Sequence, residues 1–276
     1  MESTRRSVAD KRRAFRLLHE SGCFVIPNPW DPGSARFLQT LGFKALATTS
    51  AGFAWSKARP DNGVTRDMVI AHLNEMVAAT DLPINADLES GFATAAGGIA
   101  ESVRLAVEAG VAGLSIEDST GDVARPLHEL DTAVERIRAA RRAIDATGGD
   151  TLLVGRAECF LVGRPNLDET IARLQAYAGA GADCLYAPGL RTPDQIAAVV
   201  AAVASKPVNV LIGWPSEMKV ADVAALGARR VSVGGALARC AWGGFMQAAK
   251  LLAEQGSFAG FEAAAPGTNL NALFTQ

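Results

Sequence analysis

Eight short apolar runs, each followed by a longer segment of helical period, constrain this chain more than any other feature. The runs are Cys23–Asn28, Ala45–Ser50, Pro83–Glu89, Ala112–Asp118, Leu152–Glu158, Cys184–Pro188, Pro207–Ile212 and Arg229–Gly234. Their starts are spaced by 22, 38, 29, 40, 32, 23 and 22 residues, about one strand–helix unit each. Amphipathic segments lie between them, among others Arg66–Ala79, Ile99–Ala109, Leu130–Ala146, Leu167–Ala178 and Pro193–Val203. Thr65, Asp131, Asn166 and Thr192 stand as helix openers, and Gly42, Gly110, Gly181 and Gly227 as C-terminal stops. The alternation predicts parallel strands joined by crossover helices, and eight of them favour a closed (β/α)8 TIM barrel. An open doubly wound sheet is the competitor, but no G-x-G-x-x-G turn follows the first run. The expected organisation is a single barrel domain over residues 1–276, with an N-terminal helix at 7–20 and a C-terminal helix plus tail at 236–276.

Composition removes several classes of function. With 27 basic against 29 acidic residues and 6% aromatics, the chain has no basic, ring-bearing surface for nucleic acid. No uncharged run approaches the roughly 18 apolar residues of a membrane span. The basic start, including Arg5, Arg6, Lys11, Arg12, Arg13 and Arg16, has no apolar stretch behind it, so it reads as a solvated helix face and not as a signal peptide. Cys23, Cys159, Cys184 and Cys240 lie far apart, which indicates neither zinc nor disulfides and suggests a reduced, cytoplasmic protein.

In such barrels the chemistry comes from the C-terminal ends of the strands. The third run ends Asp87-Leu88-Glu89, and a strand's period of two puts both acids on one side, facing inward at the mouth. Two like carboxylates there must share a proton, pair with an arginine, or hold a divalent metal, with all-oxygen ligation suiting Mg2+ or Mn2+. Glu117 and Asp118 end the fourth run, and Arg156 and Glu158 the fifth. Arg156 has two readings, a partner that makes buried carboxylates tolerable or a bidentate clamp on a substrate carboxylate. The small residues Thr48 to Gly52 leave backbone N–H groups open to an anion.

Thr49-Ser50-Ala51-Gly52, Arg59-Pro60-Asp61, Ala86-Asp87-Leu88-Glu89-Ser90-Gly91-Phe92, Ile116-Glu117-Asp118 and Gly155-Arg156 resemble, in order and spacing, the isocitrate lyase and phosphoenolpyruvate mutase superfamily. The resemblance implies a Mg2+ ion on an α-oxo carboxylate and an enolate-like form of pyruvate as the intermediate. It implies that Asp87 is the metal ligand, directly or through water, and that Glu89 and Glu117 hold metal-bound waters. Ser50 and the amides of Ala51 and Gly52 would bind the carboxylate and oxyanion, with Asp61 near the metal shell and Arg156 facing the substrate. Glu89 stands where the family usually has Asp. The resemblance also implies a homodimer or homotetramer in which the last helix is exchanged between barrels. That helix, from Ala236, is apolar on more than one face.

The loop Ser119–His128 departs from the family pattern: it has neither the cysteine of the isocitrate and methylisocitrate lyases nor the lysine and asparagine of the mutases. Arg125 and His128 are the residues left there to deliver charge or a proton, and His128 also fits the entry to the next helix beside Pro126 and Glu129. Trp30 and Trp214 fit either a pocket wall or ordinary packing. Gly234-Gly235 fits either a phosphate-holding turn or a tight strand-to-helix turn, and His19 and His72 read as solvated or capping residues. The expected function is a Mg2+-dependent lyase that breaks a C–C bond of a small 2-oxo or 2-hydroxy di- or tricarboxylate, of the oxaloacetate decarboxylase or methylisocitrate lyase type. P–C bond chemistry and a non-catalytic metabolite-binding barrel are the alternatives. A Schiff-base aldolase would need a lysine at a strand's C-terminal end, and none of the six lysines stands there.

Overall fold

The structure, a computed structural model, describes residues 6–204 and 206–275. Eight parallel strands form the wall of a barrel: β1 (Phe24–Ile26), β2 (Leu46–Ala47), β3 (Ile84–Asp87), β4 (Gly113–Glu117), β5 (Leu152–Arg156), β6 (Cys184–Tyr186), β7 (Val208–Leu211) and β8 (Arg230–Ser232). Each lies inside its expected run. The ladder order is β1-β8-β7-β6-β5-β4-β3-β2, and the seam between β1 and β2 is closed by the Ala47 N–H on the Pro27 carbonyl at 3.1 Å. Asn28 reinforces that seam, donating from Nδ2 to the Thr48 carbonyl and accepting the N–H groups of Val233 and Gly234 at Oδ1.

The helices are α1 (Val8–Leu18), α2 (Pro32–Thr40), α3 (Ser50–Ser56), α4 (Arg66–Ala79), α5 (Ala96–Glu108), α6 (Leu130–Ala146), α7 (Leu167–Gly179), α8 (Pro193–Ala202), α9 (Val220–Ala225), α10 (Ala236–Gln255) and α11 (Gly267–Phe274). Thr65, Asn166 and Thr192 cap α4, α7 and α8 as expected, each accepting a backbone N–H two or three residues into the helix. Asp131 does not: Glu129 is the N-cap of α6 without a side-chain bond, and Asp131 falls in the first turn, where it faces the helix dipole favourably. The main core lies between the strands and the helix ring. A second cluster shows what shuts the N-terminal end, because Phe15 of α1 packs there with Ile26, Ala45, Ala47, Ala112 and Leu152.

Both helical histidines are buried, which corrects the solvated reading. His19 is the C-cap of α1, with Nδ1 on the Phe15 carbonyl at 2.8 Å and its ring edge-on to Phe15 and Phe24. His72 of α4 stacks on Phe53 of α3, ring centroids 4.0 Å apart. Outside the barrel, α10 leaves Trp242, Phe245, Met246 and Leu252 exposed, while α11 packs on α2. Arg6 is exposed, and Arg5 lies outside the described residues. No helix among the described residues is long and apolar enough to cross a membrane.

Candidate active site

A cavity of about 180 Å³ opens at the C-terminal end of the barrel and runs down its axis. Strand periodicity selects its lining: Asn85 and Asp87 from β3, Asn209 and Leu211 from β7, Arg230 and Ser232 from β8. Thr49, Ser50, Ala51, Asp61, Arg156 and Tyr186 complete the mouth. Five expected site residues therefore meet around one small space: Ser50, Ala51, Asp61, Asp87 and Arg156.

Asp87 is the hub. Its Oδ2 accepts the Ser50 hydroxyl at 2.8 Å and the Ser50 N–H at 3.2 Å, and its Oδ1 lies 3.4 Å from Arg156 Nη1. Arg156 also reaches Glu117 at 3.1 Å and bonds Glu158 through Nε. Burial alone would weaken the guanidinium's hold on its proton, but Glu117, Glu158 and Asp87 more than reverse this and raise its pKa well above the usual value. Burial pushes Glu117 well up, against the pull of Arg156. Asp61, exposed at the rim, is raised by the partial loss of water around its carboxyl and by the neighbouring Asp87 charge.

Glu89 departs from its expected place. β3 ends at Asp87, and Glu89 sits in the following turn with φ +49°, a conformation that side chains other than glycine seldom adopt. Its carboxyl is still buried, Oε1 has no hydrogen-bond partner among the described residues, and burial together with Asp87 pushes its pKa up to about 8. Asp118 turns away from the other acids. Its carboxylate accepts the Glu158 N–H, Arg173 Nη1 and, at 2.5 Å, the Tyr177 hydroxyl, so it anchors α7 to the barrel.

Of the remaining expected residues, Gly234 and Gly235 line the cavity, while Gly52, Trp30, Trp214 and His128 do not. Gly52 is packed so closely that a Cβ would meet Thr49 Cγ2 at 2.8 Å and Trp30 Cβ at 2.9 Å. Trp30 thus supports α3 from behind, in a groove with Trp242 and Phe245. Trp214 carries the Arg191 guanidinium 3.7 Å from its ring centroid. His128 is half-buried, and its main chain bonds the Asp118 carbonyl and Arg173, as suits the entry to α6. The Gly234 N–H is already taken by Asn28, which favours the tight-turn reading of Gly234-Gly235. Tyr186, Asn85, Asn209 and Arg230 were not singled out from the sequence, although a polar residue at an alternate position of an apolar strand was the available signal.

The sequence model of the phosphoenolpyruvate phosphomutase family matches residues 15–253. An oxaloacetate decarboxylase of Rhodopseudomonas palustris (strain BisB18) is 31% identical over 232 residues, covering 81% of this chain and 77% of that protein. A crystal structure of a Burkholderia cenocepacia J2315 protein designated a lyase/mutase superposes with a TM-score of 0.94 at 51% identity, covering 98% of both chains. Oxaloacetate acetylhydrolase in complex with its product oxalate superposes with a TM-score of 0.85 at 27% identity, covering 97% of this chain and 93% of that one. The chain belongs to the phosphoenolpyruvate phosphomutase family, and so to the enzyme superfamily of lyases and mutases that it shares with isocitrate lyase.

Proposed function

We propose that this chain is a Mg2+- or Mn2+-dependent lyase that cleaves a C–C bond of a small 2-oxo or 2-hydroxy di- or tricarboxylate through a pyruvate enolate, with oxaloacetate as the first substrate to test. The observation that carries this reading is the carboxylate group at the mouth. Asp61, Asp87, Glu89 and Glu117 stand against one arginine, beside a cavity sized for a small acid. Among the described residues no three acidic, histidine or cysteine side chains are spaced as a closed metal-binding set. Mg2+ does not require one, since it keeps several waters and takes one or two carboxylates plus substrate oxygens. Asp87 suits the direct ligand, and the unpartnered Glu89 Oε1 and Glu117 suit the waters. When bound, such an ion supplies Lewis-acid stabilisation of the negative charge that gathers on the oxo oxygen as the bond breaks.

The protein's own groups do the rest. The Ala51 amide donates to the carboxylate beside the oxo group, the Ser50 hydroxyl joins it by turning from Asp87, and together they fix the orientation of the oxo acid relative to the bond to be broken. Arg156, held by three carboxylates, offers a preorganised positive charge to the developing oxyanion. In decarboxylation the C–C electron pair passes into the enolate, CO2 departs, and a proton must then reach the enolate carbon. Tyr186 borders the cavity, and burial pushes its pKa up to about 12, so it arrives protonated and we assign that delivery to it. The absence of cysteine and lysine from Ser119–His128 favours decarboxylation over isocitrate-type cleavage and over P–C chemistry. The four cysteines, all free thiols, suit a cytoplasmic enzyme, and the exposed apolar residues of α10 suit a homodimer or homotetramer. A panel of 2-oxo and 2-hydroxy acids with Mg2+ or Mn2+, read as pyruvate release, tests the assignment. Turnover of a dicarboxylate supports it, and release from no member overturns it.

A further inference from the structure

We infer that the floor of the barrel cavity is a binding site for a single small monovalent anion, held by Arg230 with Asn85 and Asn209. Arg230 enters β8 beside Asn209 of β7 and is only 3% exposed. Its Nε donates to Asn209 Oδ1 at 2.9 Å, and Nη1 lies 3.3 Å from Asn85 Oδ1 and 3.4 Å from His19 Nε2. All three partners are neutral. With Nδ1 of His19 donating to the Phe15 carbonyl, Nε2 is the lone-pair nitrogen, and burial together with Arg230 pushes the ring's pKa down to about 3. Among the described residues no carboxylate lies within ion-pair distance of Arg230.

The other buried arginines meet their charge differently. Arg156 has three carboxylates, and Arg173 has Asp118 and Glu169. Arg136 gives Nη1 and Nη2 to the Thr94 and Ser90 carbonyls, leaves Nε without a partner among the described residues, and does not border this cavity. Arg230 does border it, and the three contacts leave Nη2 without a partner among the described residues. A buried charge without a counter-ion is costly, and an open cavity beside it gives a counter-ion room.

Asn85 lies two residues before Asp87 on β3, which sets the floor roughly 6–7 Å below the mouth. The cavity is therefore bipolar, with acids at the top and an unneutralised cation below. The anion can be a halide or the carboxylate end of an organic acid, and the test separates the two. It reads binding without metal or turnover, so it stands apart from the proposed reaction.

Metal-free protein is exchanged into sodium sulfate, whose dianion lies outside the proposed class, then melted across titrations of chloride, bromide or acetate at constant ionic strength. The inference expects a saturable rise in Tm with a halide or with acetate, reaching roughly 5–10 °C at a hundredfold excess over Kd. The rise is lost in Arg230→Met and kept in part by Arg230→Lys. Halide and acetate series that differ identify the source. Should Arg230→Met fail to fold, wild-type crystals soaked in bromide decide, because an anomalous peak within hydrogen-bond distance of Arg230 is required. A flat Tm for every anion, an equal rise in Arg230→Met, or soaked crystals with no bromide at the floor when bromide raises Tm would overturn the site.

Discussion

Glu117 and Arg156 are register partners on adjacent parallel strands, β4 and β5, and their charged groups meet at 3.1 Å. The barrel's own hydrogen-bond register thus aims the guanidinium, which then bridges Asp87, Glu117 and Glu158. A lysine keeps the charge but cannot serve three acceptors in a plane. Arg156→Lys should lower kcat/KM by roughly ten- to a thousandfold while leaving the circular dichroism spectrum unchanged, a loss of about 1.5–3 kcal/mol per charged contact. Unchanged kinetics on every accepted substrate would reduce Arg156 to a structural ion-pair partner.

Tyr186→Phe removes the cavity's phenolic proton and little volume. Steady-state kinetics should show kcat lower by roughly a hundredfold or more with KM within a few-fold of wild type. A drop in KM-dependent binding with kcat intact would assign the hydroxyl to substrate positioning.

Much of this arrangement was legible in the sequence, for identifiable reasons. Each strand reads as an apolar run bounded by polar residues or glycine, so the barrel, and with it the positions of Asp87 and Arg156, followed from spacing, whereas Ser50, expected at a strand end, opens α3 instead. Glu89 was misplaced on the strand because period-two reasoning does not see a backbone that leaves β geometry after Asp87. Arg230, Asn85 and Asn209 were missed because a polar residue inside a strand shows its meaning only when its barrel neighbours are known. Trp30 and His72 depend on which helix packs behind them, a tertiary fact that local pattern does not encode.

The burial of His72 has a consequence for stability. Burial, with Lys57 adding to it, depresses its pKa to about 4 from an ordinary value of 6.5. The unfolded chain therefore takes up a proton that the folded one refuses. His72's contribution is intact above about pH 6.5 and is lost progressively as pH falls toward 4, by up to about 3 kcal/mol. His72→Phe keeps a ring against Phe53 and removes the titration. Denaturant unfolding at pH 7 and pH 4.5 should show the variant gaining on wild type at the lower pH. A constant difference would contradict the assignment.

The proposed oligomer rests on α10, whose Trp242, Phe245 and Met246 are exposed in the single chain. Light scattering at micromolar concentration should give two or four times the single-chain mass of 28.7 kDa. Phe245→Glu should shift the mass downward. A wild-type mass of one chain would exclude the proposed oligomer.

The most direct test of the proposed chemistry is oxaloacetate turnover by wild type and Asp87→Ala with and without Mg2+, read as pyruvate formed. Asp87 carries a mouth carboxylate and no core packing, so the variant should fold, and its circular dichroism and melting confirm that. The account predicts metal-dependent pyruvate formation by wild type, abolished by EDTA, with Asp87→Ala no faster than the metal ion alone. Equal rates for the two proteins, or a wild-type rate that EDTA leaves unchanged, would contradict it.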